Sequence, residues 1–187
     1  MNFLIAREDL DMRDLVFIDE CGVNTGMARN YGYAPRGARL FDSKPSKYLP
    51  NHTVLGALSL DGLGALMTIQ GGTSVEVFFA WVEQVLLPEL DTNNIVVLDN
   101  LAAHKNKRVV ELFGDHGIDL LYTPPYSPEW NPIEWAWSKV KNHLRKAAAR
   151  CLDSLEDALV GAADLVTQDD AFNMITGCGY GVPGLTW

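Results

Sequence analysis

Short apolar runs alternate with amphipathic stretches along this chain. Leu15-Val16-Phe17-Ile18 is a four-residue apolar run that stops at Asp19-Glu20, the pattern of a buried strand. Residues 53–60 and 63–69 are rich in apolar side chains and flank Asp61-Gly62, which predicts a hairpin over an Asp-Gly turn. Thr73-Ser74-Val75-Glu76 has the form of a capping box, and apolar residues then recur at 75, 78, 79, 82, 85 and 86. That spacing predicts a helix, which Pro88 ends.

Ile95-Val96-Val97-Leu98 is a second apolar run that ends in an acid, Asp99. A helix over about 104–113 is expected next, stopped near Gly114 and Gly117, and then a short strand over 118–122. A proline-rich loop covers 123–130. A helix follows Asn131, and a last one is expected over about 153–166. A hairpin followed by alternating helix and strand predicts an α/β fold, a mixed sheet with helices packed on it.

The 187 residues suit a single domain, expected as a core over about 14–150 with a C-terminal helical extension over about 151–187. Three cysteines without a CxxC pair suggest a reduced, cytoplasmic chain. No apolar run reaches the roughly 18 residues of a membrane span. The net charge of -9 argues against coating nucleic acid by bulk attraction. The charge is unevenly spread, however. Residues 21–50 carry five basic side chains against one acidic, and residues 101–150 carry eight against five.

Candidate chemistry lies at the strand ends, where sites form in open α/β sheets. Asp19 and Asp99 each close an apolar run, and Glu134 stands near the start of a helix behind the stiff loop. Converging carboxylates repel one another and tend to hold protons. Divalent Mg²⁺, or Mn²⁺, relieves that conflict, and two ions can clamp the attacking and leaving oxygens of a phosphodiester. Each acid alone has a plainer reading. Asp19 and Asp99 could be turn residues, and Asn131-Pro132-Ile133-Glu134 fits a helix cap with Glu134 tied to its own backbone. Glu20 points to the other side of the strand and is left out of the site.

The combination is more specific. Asp99-Asn100-Leu101-Ala102-Ala103-His104, followed after a gap by Tyr126-Ser127-Pro128-Glu129-Trp130-Asn131-Pro132-Ile133-Glu134, resembles the catalytic core of a transposase. The resemblance is to the bacterial insertion-sequence branch of the mariner-like superfamily. Phe17-Ile18-Asp19-Glu20 and Gly32-Tyr33-Ala34-Pro35-Arg36-Gly37 match its upstream segments, so the likeness covers about 15–150. Cys21 stands where Ser or Thr is common, and Trp130 where Leu or Phe is usual.

The resemblance implies a ribonuclease-H-like fold, with Asp19, Asp99 and Glu134 as catalytic acids binding two Mg²⁺ or Mn²⁺ ions. It implies DNA cleavage and strand transfer during transposition, with element ends and target DNA as partners and insertion at a TA dinucleotide. It also implies that an N-terminal helix-turn-helix region is absent here, because only 18 residues precede Asp19. That portion is expected from an upstream reading frame, a homodimer is one expected assembly, and the expected place is the nucleoid-associated cytoplasm. Asn100, His104 and Asn131 are expected to shape the site.

Positions 134, 138, 141 and 145 share one helix face, which puts Lys141 and Arg145 in line with Glu134. Lys141, Arg145, Lys139, Lys105 and Arg36 are the candidate phosphate contacts, the plainer reading being a solvated charged face. Trp137 is assigned to the core. Two other functions stay open: a nuclease of the same fold that cuts without joining, and a remnant that binds DNA without catalysis.

Overall fold

Five strands form one sheet in the order β3-β2-β1-β4-β5, with β1 Leu15–Asn24, β2 Asn51–Ser59, β3 Gly62–Gln70, β4 Ile95–Leu98 and β5 Asp119–Tyr122. This computed structural model describes residues 10–181 apart from 30, 42, 44 and 46–48. Lys44 and Lys47 of the first basic block therefore lie outside the described residues. The hairpin β2–β3 and the pair β1–β2 are antiparallel, while β1, β4 and β5 run parallel. Gly62 turns the hairpin at φ +117°, a conformation that L side chains rarely adopt.

β1 is longer than its apolar run. Beyond Asp19 the side chains continue to alternate, with Cys21 and Val23 buried, so pairing with β2 extends to Asn24. Asp19 therefore sits inside a strand rather than at its end. The helices are α1 Val75–Trp81, α2 Lys107–Asp115, α3 Ile133–Ala147, α4 Leu152–Ala163 and α5 Gln168–Gly177. A π-helical turn, Val82–Leu86, and a 3-10 turn, Leu87–Glu89, prolong α1. α1 starts one residue later than expected, on Ser74, whose hydroxyl accepts from the Val77 amide. α2 starts three residues later, capped by Asn106, so His104 precedes it.

Strand alternation divides the core into two layers. Leu15, Phe17, Cys21 and Val23 face one side with Ile133, Trp137, Val140 and Leu144 of α3 and the buried faces of α4 and α5. Val16 and Ile18 face the other with Phe78 and Trp81 of α1 and Val109 and Phe113 of α2. α5 falls within the helical extension expected over about 151–187, beyond the last helix placed at about 153–166. It is capped reciprocally by Thr167 and Asp170 and buries Ala171, Met174 and Ile175. The result is a mixed sheet flanked by helices on both faces, consistent with a ribonuclease-H-like α/β fold. Among the described residues no helix is long and apolar enough to cross a membrane.

Candidate active site

Strand register brings the first two acids level. Leu15, Val16 and Phe17 pair with Ile95, Val96 and Val97, so continuing the same offset sets Asp19 beside Asp99, where β4 has ended. On the other side of β1, Gly56 of β2 pairs with Asp19. Alternation sends Asp19 to the α3 face, and the first turn of α3 carries Glu134. All three acids line one cleft of about 420 Å³, together with Asn100, Thr123, the 124–128 part of the proline-rich loop, and Asn131.

Asp19 has the most perturbed carboxyl group. Burial pushes it up to about 7, and the nearby charges of Glu134 and Asp99 push the same way. The Glu20 backbone amide and the indole N–H of Trp137 oppose the rise without cancelling it. The Trp137 Nε1 donates to Asp19 Oδ2 at 3.2 Å. Asp99 behaves differently. Burial pushes it up, but His104, the Leu101 amide and Lys105 hold it below the usual carboxylate value.

His104 is fully buried and lies between two carboxylates. Its Nδ1 is 2.7 Å from Asp99 Oδ1, and its Nε2 is 3.9 Å from Glu20 Oε1. The Asp99 oxygen sits off the line of the ring N–H, so the contact is close but poorly aligned for a hydrogen bond. The imidazole rests on the Phe78 ring, with centroids 4.4 Å apart. The Leu101 amide donates to the same Asp99 oxygen at 2.9 Å. Asn100 Nδ2 donates to the Thr123 carbonyl, tying the end of β4 to the end of β5.

The cap expected around Glu134 is not formed. Asn131 makes no side-chain cap to α3, and its buried Oδ1 lacks a hydrogen-bond partner. Glu134 is exposed to the cleft instead of folded back. The donor set is three hard carboxylate groups, with Asp19 half-buried among them, and its chemistry fits divalent cations. Among the described residues, no three His, Cys, Asp or Glu side chains are already drawn close enough to enclose an ion. The acids share a cleft, and a bound cation would have to draw them together.

The candidate phosphate contacts separate. Lys141 and Arg145 line a second groove with Gly22, Asn24 and Gly26, further along the same α3 face. Lys139 is turned away from both, its ammonium 2.5 Å from Asp170 Oδ2 of α5, because position 139 faces the C-terminal helices. Its expected role on DNA gives way to a tie between α3 and α5. Lys105 is exposed beside Asp99 and lies over the Tyr122 ring. Arg36 lies in the exposed segment 31–41 and lines neither groove. Sequence reasoning missed Glu20, which does face the other side but reaches His104. It also missed the polar role of Trp137, for which the one available signal is its position one turn after Glu134.

Comparison with known proteins agrees with this geometry. The family described as DDE superfamily endonuclease matches residues 14–156. The Transposable element Tcb2 transposase of Caenorhabditis briggsae is 38% identical over 63 residues, covering 32% of this chain and 23% of that protein. The Mos1 mariner paired end complex with Mn superposes with a TM-score of 0.74 at 14% identity, over 94% of this chain and 55% of that one. The pre-cleavage Mos1 transpososome gives 0.71 at 12% identity, over 94% and 56%. These structural likenesses speak to the fold. This chain spans about half the length of those Mos1 chains and under a quarter of the Tcb2 protein. On the family match across most of its length, the chain belongs to the DDE superfamily of endonucleases.

Proposed function

We propose that this chain is the catalytic domain of a transposase that cleaves DNA at the ends of an insertion element and joins it to target DNA. The observation that carries the reading is the convergence of Asp19, Asp99 and Glu134 on one cleft. In the reaction, water attacks a phosphodiester at the element end and displaces the 3′-oxygen, leaving a 5′-phosphate, and the freed 3′-hydroxyl then attacks a phosphodiester of the target and displaces the target's 3′-oxygen. Asp19, Asp99 and Glu134 would hold two Mg²⁺ or Mn²⁺ ions, which would supply activation of the attacking oxygen and stabilisation of charge on the leaving oxygen.

His104 and the Leu101 amide keep Asp99 ionised and oriented. Lys141 and Arg145 hold phosphates of the strand running from Glu134 along α3. No residue is assigned a covalent link to DNA, so the domain works by position and charge. The resemblance of the Asp99–His104 and Tyr126–Glu134 segments supports the bacterial insertion-sequence branch. Element ends are recognised by a helix-turn-helix portion, the working assembly is a homodimer, and its place is the nucleoid-associated cytoplasm. Insertion takes place at a TA dinucleotide.

The test is nicking of supercoiled plasmid, and joining of supplied element-end DNA, by wild type and Asp99→Asn. Metal-dependent nicking and joining are expected for wild type. Asp99→Asn should fall to background with an unchanged circular dichroism spectrum. Unchanged nicking by the variant sinks the assignment, and nicking without joining by wild type points to a nuclease.

A further inference from the structure

A buried indole N–H needs an acceptor, and the two tryptophans that are fully buried among the described residues find theirs differently. Trp81 donates to the backbone carbonyl of Ala65 at 2.7 Å, an ordinary solution within the core. Trp137 donates to the carboxylate of Asp19. Its ring reaches that carboxylate by crossing the strand beside it. The room comes from Gly56, the β2 partner of Asp19, where the β2–β3 pairing slips its register. A Cβ on Gly56 would lie 2.7 Å from Cη2 of Trp137 and 2.8 Å from Cδ2 of Leu66. The leucine tip can rotate away, but the rigid ring cannot. Gly56 is not in the left-handed region, so the missing side chain serves space rather than backbone conformation.

We propose that Trp137, seated against Gly56, is a positioning residue that fixes the carboxylate of Asp19 and the spacing between Asp19 and Glu134. Trp137 and Glu134 are three residues apart on one helix, one turn of α3. The indole–carboxylate bond therefore ties the strand that carries one acid to the turn that carries another. Core packing alone requires the ring and the space left by Gly56, but not the N–H that meets Asp19.

The role rests on the reading of the three acids as metal ligands, and the experiment separates the two. Mn²⁺ binding is measured by calorimetry on wild type, Trp137→Phe, Gly56→Ala and the double variant, with Trp81→Phe as the control. Loss of such an orienting partner weakens metal binding by roughly 10–100-fold. That loss is expected for Trp137→Phe and for Gly56→Ala. The double variant should bind no worse than Trp137→Phe, because phenylalanine vacates the space that the new methyl needs. Trp81→Phe should bind like wild type.

Trp137→Phe that folds and binds Mn²⁺ like wild type overturns the proposal. Wild type that binds no Mn²⁺ overturns the metal reading, and the positioning role with it. Should Trp137→Phe fail to fold, the Trp137 indole ¹H–¹⁵N signal of the metal-free protein decides. It should shift on Asp19→Ala, which removes the acceptor, and an unmoved signal overturns the proposal.

Discussion

Asp19→Asn should stabilise the metal-free protein most at alkaline pH, and by a steadily smaller amount as pH falls toward 3.8. The carboxyl group is raised from 3.8 to about 7 by burial, with Glu134 and Asp99 adding to the rise. Between those two values the folded state keeps a proton that the unfolded chain has lost, so this group makes stability fall as pH rises. A rise of about three on the pH scale corresponds to about 4 kcal/mol at 1.36 kcal/mol per pH unit. Water in the open cleft screens part of that, which leaves an expected gain on the order of 2–4 kcal/mol for the variant at pH 8.

The assay is urea unfolding in EDTA at pH 5 and pH 8, with the difference between variant and wild type read at each. Asparagine keeps the shape and still accepts from the Trp137 indole, so packing changes little. Saturating Mg²⁺ should shrink that gain at pH 8, since only the wild type retains the ligand. A ligand at 100 times its Kd adds about 2.7 kcal/mol. The reasoning is refuted if the variant is no more stable than wild type at pH 8, or if its gain is the same at pH 5.

Other consequences are simpler to check. Asp170 is held down to about 2 by Lys139 and by Thr167, so its stabilising effect is present above the unfolded value of 3.8 and is lost as pH falls through 2. Asp170→Ala removes the cap of α5 and its tie to α3, and should cost about 1 kcal/mol at pH 7 in denaturant unfolding, since the ion pair is partly exposed. A fluorescence anisotropy titration should find that Lys141→Ala with Arg145→Ala weakens duplex binding evenly across sequences. The same pair should lower the slope of log K against log salt by about 2, whereas Lys139→Ala should leave that slope unchanged.

The strands were largely legible in the sequence because each is a short apolar run closed by an acid or a turn. The hairpin could be read from Asp61-Gly62, and the mixed sheet from the order of elements. The continuation of β1 past Asp19 was written in the alternation of Cys21 and Val23, but the acids at 19 and 20 read as a stop. α5 is legible too, in its Thr167-to-Asp170 capping signal and the helical spacing of 171, 174 and 175. The motif spacing indicated which acids to join. Parallel register explains why Asp19 and Asp99 come level, since their distance from the paired residues Phe17 and Val97 is the same.

What periodicity could not carry is direction at the level of single atoms. Trp137 sits in the buried stripe of its helix, yet its one polar atom faces Asp19. Glu20 points away from the cleft, as alternation requires, and meets His104 on the far side. Lys139 and Lys141 are two residues apart and were grouped by charge. The helix turns them apart, one to Asp170 and one to the groove.

The central claim is that the three acids together hold a pair of divalent ions. Anomalous scattering from crystals soaked in Mn²⁺ tests it most directly. Two peaks about 3.5–4 Å apart among the carboxylates of Asp19, Asp99 and Glu134 are predicted, with the pair lost in Asp99→Asn. A Mn²⁺-saturated crystal with no peak in this cleft, or with the same peaks in Asp99→Asn, would contradict it.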